Sequence, residues 1–89
     1  MQTTTQISTT EGARIAKRLL NHWKHKFEVQ QNEQDLLILM PDYTITLTPQ
    51  AACLDVKITG QVADFSHIQK VVIDHLNRMA HTEFSVTWH

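Results

Sequence analysis

Between residues 43 and 60 the sequence alternates apolar and polar side chains with a period of two, and this alternation constrains the fold most. In its first half the apolar positions alternate with threonines, in the order Tyr43, Thr44, Ile45, Thr46, Leu47 and Thr48. In its second half they alternate with charged or hydroxyl side chains, in the order Leu54, Asp55, Val56, Lys57, Ile58 and Thr59. Successive side chains of a strand point to opposite faces of a sheet. The pattern therefore predicts two antiparallel strands with one apolar and one polar face.

Other segments also have strand character. Phe27 and Val29 alternate with polar residues, and residues 35–40 form a nearly continuous apolar run. Residues 83–88 alternate apolar and polar side chains again. A first strand at Thr3–Ile7 rests only on the β-propensity of threonine. The short connections between the central strands predict an antiparallel meander.

Two segments have the helical period of 3.6 residues instead. In residues 9–25 one helix face collects the apolar residues Ile15, Ala16, Leu19, Leu20 and Trp23. In a second helix, expected to begin near Asp64 or Ser66 and to end near Ala80, the stripe contains Phe65, Ile68, Val72, Leu76 and Met79. The pairs with the spacing of a capping box are Ser8 with Glu11 and Ser66 with Gln69. The order (β)αββββαβ predicts one α+β domain over residues 1–89, with two helices packed on one face of an antiparallel sheet.

The charge balance and the lone cysteine limit the classes of function. The 89 residues include 8 basic and 9 acidic side chains, for a net charge of −1. No overall field then attracts nucleic acid or a membrane surface, and we expect neither as a partner. Cys53 has no second cysteine with which to form an internal disulfide. Because neither an export signal nor an apolar run long enough to cross a bilayer is present, we expect a cytoplasmic location.

Histidines near the end of the first helix form the first candidate site. His22 and His25 are three positions apart, so their imidazoles can reach one point as two metal ligands or as two donors to an anion. Arg18 and Lys26 add positive charge on the same flank. The alternative is a solvated basic face, since positive charge near the C-terminus of a helix is favourable.

His75 is the second candidate, because it falls within the apolar stripe of the second helix. An imidazole directed at the core needs a partner, since an unpaired polar group there costs about 1–3 kcal/mol. In a structural role the partner is a backbone carbonyl or Tyr43. In a functional role His75 faces His22 across a cleft between the helices, and Arg78 lines the entrance of that cleft.

Three short segments combine histidines, basic residues and aromatic or apolar residues. They are His22-Trp23-Lys24-His25-Lys26, His75-Leu76-Asn77-Arg78-Met79-Ala80 and the closing Val86-Thr87-Trp88. Together they resemble the small bacterial domain of unknown function 2218, over nearly the whole chain. That family usually has phenylalanine at the positions of Trp23 and Met79, and neither difference removes a polar group. The resemblance implies no assigned activity, but it implies a context in iron uptake, because such domains occur alone or fused to siderophore-interacting flavin reductases.

These observations support two main hypotheses. In the first, a basic pocket binds a small anionic ligand, an iron chelate, haem or a transition metal, with His22 and His25 as metal ligands; the pocket residues are His22, His25, Lys26, His75 and Arg78. In the second, the domain is a structural or protein-interaction module that docks on a siderophore-interacting reductase or forms a homo-oligomer through a sheet edge. A third hypothesis, an enzyme with His22 or His75 as general base, lacks an evident nucleophile or carboxylate partner.

Overall fold

The computed structural model describes residues 1–89 as a five-stranded antiparallel sheet with two helices on one face. The elements in chain order are β1 (Gln2–Ser8), α1 (Gly12–Trp23), β2 (Glu28–Gln31), β3 (Leu36–Leu39), β4 (Tyr43–Pro49), β5 (Cys53–Gly60) and α2 (Ser66–Ala80). This confirms the expected α+β fold and all five strands that precede the second helix. Neither helix has the length and apolar character needed to cross a membrane.

The strands lie in the order β1-β5-β4-β3-β2, so β1 extends the meander on the side of β5. In the antiparallel register, Ile45 of β4 lies opposite Ile58 of β5, and Thr5 of β1 lies opposite Val56 of β5. Because β1 and β2 are the two edge strands, α1 carries the chain from one edge of the sheet to the other. On this path α1 contacts β3, β4 and β5.

The apolar faces of the sheet and of both helices share one core of 16 buried residues. Leu19 of α1 and Leu76 of α2 are fully buried, as are Ile45 and Ile58 of the sheet below them. Burying one such side chain contributes about 1.5–3 kcal/mol. The other face of the sheet carries no helix and keeps the polar residues of the alternation, which are Thr44, Thr46, Thr48, Asp55 and Lys57.

The first helix begins at Gly12 and not near Thr9. Ser8 belongs to β1, so the predicted capping box of Ser8 and Glu11 does not form. The hydroxyl of Thr9 accepts the N–H of Glu11 instead, at 3.1 Å. A Cβ at position 12 would lie 3.2 Å from the Cβ of Leu54. The glycine therefore allows the start of α1 to approach β5 closely.

The first helix also ends earlier than predicted, at Trp23. The carbonyl of Trp23 accepts the N–H groups of Lys26 and Phe27, at 3.0 and 2.8 Å, which closes a turn after the helix. His25 and Lys26 therefore lie in this turn, whereas the periodicity predicts them on the helix.

The second helix has the expected bounds, but a different residue caps its start. The carboxylate of Asp64 accepts the N–H of Ser66 at 2.9 Å, and this hydrogen bond lowers the pKa of Asp64 below its usual value. The predicted capping box of Ser66 and Gln69 does not form. The side-chain amide of Gln69 instead donates to the hydroxyl of Thr3 at 2.9 Å, which ties α2 to β1.

The sequence predicts a last strand over residues 83–88, but the C-terminal segment, residues 83–89, lies along the outer edge of β1 without forming a regular ladder. Thr4 and His89 exchange two backbone hydrogen bonds, of 2.9 and 2.7 Å. The other contacts go through threonine hydroxyls: Thr5 donates to the carbonyl of Thr87 at 2.8 Å and Thr3 to that of His89 at 3.1 Å. The carbonyl of Thr87 thus accepts a hydroxyl and no backbone N–H, and Thr4 and His89 form the one backbone pair, too little for a ladder.

Candidate functional site

The rings of His22 and His75 lie next to each other where the two helices pack. Their centroids are 5.6 Å apart and the ring planes are inclined by 46°. His22 lies in the last turn of α1 and is exposed, whereas His75 lies in the middle of α2 and is half-buried. The structure therefore brings together the two histidines that the helical stripes placed on facing sides. One of the two is open to solvent.

The side chain of His75 is held by its own helix. Its Nδ1 lies 2.7 Å from the carbonyl oxygen of Val71, one turn earlier in α2. Because a carbonyl oxygen only accepts, Nδ1 must carry the proton of this hydrogen bond. In the neutral imidazole Nε2 then keeps a free lone pair. The hydrogen bond thus fixes the tautomer and leaves one nitrogen able to bind a metal or to accept a proton.

Trp23 packs against the same imidazole. The ring centroids of Trp23 and His75 are 4.8 Å apart, and Trp23 also meets Phe27 edge-on at 6.1 Å. Trp23 is buried, as the apolar stripe of α1 predicted. Its contact with His75 could not be deduced from that stripe, since it depends on how the two helices cross.

Arg18 links the two helices at their surface. Its guanidinium donates to the carbonyl of Met79 at 3.0 Å, at the C-terminal end of α2, where a positive charge is favourable. Arg18 lies one turn before His22 on α1, and Met79 one turn after His75 on α2. The Arg18–Met79 contact and the His22–His75 contact therefore follow each other in the order expected for antiparallel helices. Sequence reasoning put Arg18 on the basic flank but did not foresee this hydrogen bond.

The other three candidate residues do not contact the histidine pair through hydrogen bonds or ion pairs. His25 and Lys26 are exposed in the turn after α1, where the Lys26 ammonium lies 5.6 Å from the ring centroid of Phe27. Arg78 is exposed in the last turn of α2, one turn after His75. No group of three or more His, Cys, Asp or Glu side chains is placed to hold a metal ion. The candidate site is therefore a pair of imidazoles, with exposed basic side chains within about one turn of each histidine in sequence.

Comparisons with known proteins identify relatives of the whole chain. The model of a family described as an uncharacterized protein conserved in bacteria (DUF2218) matches residues 4–89. The NMR structure of PA4090 from Pseudomonas aeruginosa is 31% identical, over 99% of this chain and 94% of that chain, with a TM-score of 0.82. A comparison with curated proteins found no match.

Proposed function

This chain belongs to the DUF2218 family of bacterial proteins, and we propose that it is an accessory ligand-binding domain whose site centres on His22 and His75. The ligand class is a transition metal held in an anionic chelate, or haem, and the biological context is iron utilisation. The single observation that carries the proposal is the 5.6 Å separation of the two imidazole rings across the helix pair.

The geometry of the pair fits a shared metal ion. A metal bound at about 2.0–2.1 Å from a ring nitrogen lies roughly 3.2 Å from the ring centroid, so two rings can share it when their centroids are less than about 6.4 Å apart. The rings of His22 and His75 meet this condition. Nε2 of His75 is free for coordination because its Nδ1–H is bound to the Val71 carbonyl, an arrangement typical of metal-binding histidines.

The surrounding charge favours an anionic chelate over a bare ion. Two imidazoles suit iron, zinc, copper and nickel, and they leave the other coordination positions to the oxygens of a chelate. Within four residues of either histidine the charged side chains are one carboxylate, Asp74, which is paired with Lys70, and four exposed cations, which are Arg18, Lys24, Lys26 and Arg78. A guanidinium or ammonium group binds carboxylates well. We extend the proposal to a siderophore-interacting reductase as the partner that would exchange such a ligand with this domain.

Titration of three probes tests the proposal. Ferric citrate and haem are followed by quenching of Trp23 fluorescence in a Trp88→Phe background, which leaves one tryptophan beside the site. Zn²⁺ binding is followed by calorimetry. We expect His22→Ala and His75→Ala each to weaken the same probe by roughly tenfold or more. The double variant should be no weaker than the weaker single variant, since both residues hold one bound species.

A matched variant separates specific binding from adventitious binding by histidine. His67→Ala removes an exposed histidine of α2 that contacts neither His22 nor His75, and it should leave binding unchanged. Absence of saturable binding to the parent protein at tens of micromolar would refute the proposal. Equal loss in all three single variants would refute it as well.

One observation favours a second candidate function, self-association through a sheet edge. The outer edge of β1 is covered by the C-terminal segment, whereas β2 pairs only with β3. An uncovered edge strand is a template for strand pairing, although β2 is short and polar, which opposes it. Sedimentation equilibrium of the parent protein tests this candidate: a dimer that forms with rising concentration supports it, and a monomer throughout rejects it.

A further inference from the structure

A polar groove runs across the sheet face that carries no helix, away from the histidine pair. Its volume is about 710 Å³, and its floor is built from β1, β5 and β4. The C-terminal segment forms one wall, with Ser85, Thr87 and His89. This volume lies within the range of small-molecule sites, about 300–1,000 Å³. We call it the open-face groove.

The register of the strands orders the charges in the open-face groove. Lys57 of β5 lies between Thr4 of β1 and Thr46 of β4. Asp55, two residues earlier on β5, lies between Gln6 and Thr48 in the same way. Two residues along a strand span about 7 Å, so the row that contains the cation Lys57 and the row that contains the anion Asp55 cross the groove side by side.

The carboxylates of the groove accept hydrogen bonds, but none of its charged side chains forms an ion pair. The half-buried carboxylate of Asp55 accepts the side-chain amide of Gln50 at 3.1 Å, and that of Asp35 accepts the hydroxyl of Thr48 at 2.5 Å. Neither carboxylate forms an ion pair, and neither does Lys57, because the two ion pairs of the structure join other residues. Lys57 and the two carboxylates thus line one groove without ion-pair partners.

The rest of the lining offers hydroxyl groups and no Phe, Tyr or Trp side chain. Thr4, Thr46, Ser85 and Thr87 line the groove with hydroxyls that donate no hydrogen bond within the chain. Without a Phe, Tyr or Trp ring, the lining offers no large flat surface for stacking on a nucleobase. A ligand that matches this lining is small and polar and carries both signs of charge.

We propose that the open-face groove binds a small zwitterion of the size of a free amino acid or dipeptide. The ammonium group of the ligand is bound by the carboxylate of Asp55, and the carboxylate of Asp35 lies beyond Thr48 in the same row. The ligand carboxylate is bound by Lys57, and the polar remainder is bound by the threonine hydroxyls. This site is independent of the histidine pair, since the two lie on opposite sides of the sheet.

Amide chemical shifts locate the binding. Glycylglycine and L-glutamine are titrated into the ¹⁵N-labelled protein, with the uncharged N-acetylglycinamide as the matched ligand. We expect saturable shifts at the amides of Thr4, Thr46 and Lys57, and unchanged amides at His22 and His75. Lys57→Gln and Asp55→Asn should each weaken binding by roughly tenfold. Lys24→Gln, which removes an exposed lysine on the helix side, should not.

Three results would overturn the proposal. They are equal shifts from the uncharged ligand, shifts that survive both groove variants, and no shifts up to about 10 mM ligand, ten times a Kd of 1 mM. Binding that persists in the His22→Ala and His75→Ala variants shows that the groove acts separately from the proposed metal site. Absence of binding at one of the two sites therefore does not refute the proposal for the other.

Discussion

The imidazole rings of His22 and His75 lie 5.6 Å apart, yet the two side chains are in different environments. His22 is exposed and forms no hydrogen bond, whereas His75 is half-buried, bound to Val71 and packed on Trp23. His75 therefore contributes to folding through these contacts, whereas His22 is free to offer a ligand atom in the proposed site. This asymmetry separates a structural from a functional effect of substitution.

His75→Ala should lower the free energy of unfolding by about 1–2 kcal/mol, because it removes the contact with Trp23 and leaves a small cavity. His22→Ala should change it by less than about 0.5 kcal/mol, as is usual at exposed positions. Urea denaturation followed by circular dichroism measures both. Equal losses in the two variants would contradict the asymmetry seen in the structure.

The two tryptophans should differ in the same assay. Trp23 is 6% exposed and belongs to the core, so Trp23→Ala should cost about 3–5 kcal/mol. Trp88 is only half-buried, in the C-terminal segment, and Trp88→Ala should cost about 2 kcal/mol. The sequence places Trp23 on a helical apolar stripe and Trp88 in an alternating segment, and these patterns do not distinguish their burial. A larger loss at Trp88 than at Trp23 would argue against the observed burial.

The fold could be predicted from the sequence because local patterns and long-range packing agree in it. The period of two placed Ile45 and Ile58 on one face, and in the structure they lie opposite each other in the core. The start of the first helix could not be predicted in this way. Ser8 has the right residue type for a cap, but pairing of β1 with β5 uses it in a strand. Tertiary structure outweighs a capping preference of about 1 kcal/mol.

The candidate site was predictable only in part. The position of His75 within an apolar stripe indicated that it faces another element, and His22 was near the edge of the facing stripe. The antiparallel crossing that joins them, with the hydrogen bond from Arg18 to Met79 at its surface, is a long-range feature that no local pattern contains. The spacing of His22 and His25 suggested one ligand pair, but α1 ends between them.

Asp64 should make the stability of the domain depend on pH in the acidic range. Because the hydrogen bond from Ser66 lowers the pKa of Asp64 in the folded state, its contribution is present above the unfolded-state pKa of about 3.9 and is lost as pH falls through the lower folded-state value. Asp64→Asn keeps an acceptor oxygen without the charge. The parent should be the more stable of the two at pH 7, and the difference should shrink towards pH 3.

Denaturation midpoints across this pH range measure the effect of Asp64. Asp42→Asn is the control, since Asp42 is an exposed aspartate whose carboxylate accepts no hydrogen bond in the structure. A difference between parent and Asp64→Asn that stays constant from pH 7 to pH 3 would show that the charge of Asp64 plays no part.

His81→Gly should stabilise the protein. His81 ends α2 with a φ of 57°, the one non-glycine residue in the left-handed region. A side chain at this conformation costs about 1 kcal/mol that glycine avoids, and glycine is the common residue at such helix ends. We expect the free energy of unfolding to rise by about 0.5–1 kcal/mol. The control His67→Gly, inside the exposed first turn of α2, should lower it instead.

Thr5→Val should loosen the C-terminal segment from β1. Thr5 is 3% exposed, and its hydroxyl donates to the carbonyl of Thr87 at 2.8 Å. Valine keeps the shape and removes this hydrogen bond, at a cost of about 1 kcal/mol. The amide of His89, which donates to Thr4, should then exchange its hydrogen faster. Hydrogen exchange followed by NMR measures this rate directly.

Thr44→Val is the matched control for Thr5→Val, because Thr44 is a half-buried threonine on the open face of β4, away from the segment. It should leave the exchange of His89 unchanged. A freed segment would also expose the edge of β1 to pairing with another chain, so Thr5→Val should raise the tendency to self-associate in sedimentation experiments. Unchanged exchange at His89 in Thr5→Val would mean that the side chains of the segment, and not the threonine hydroxyl, hold it on the sheet.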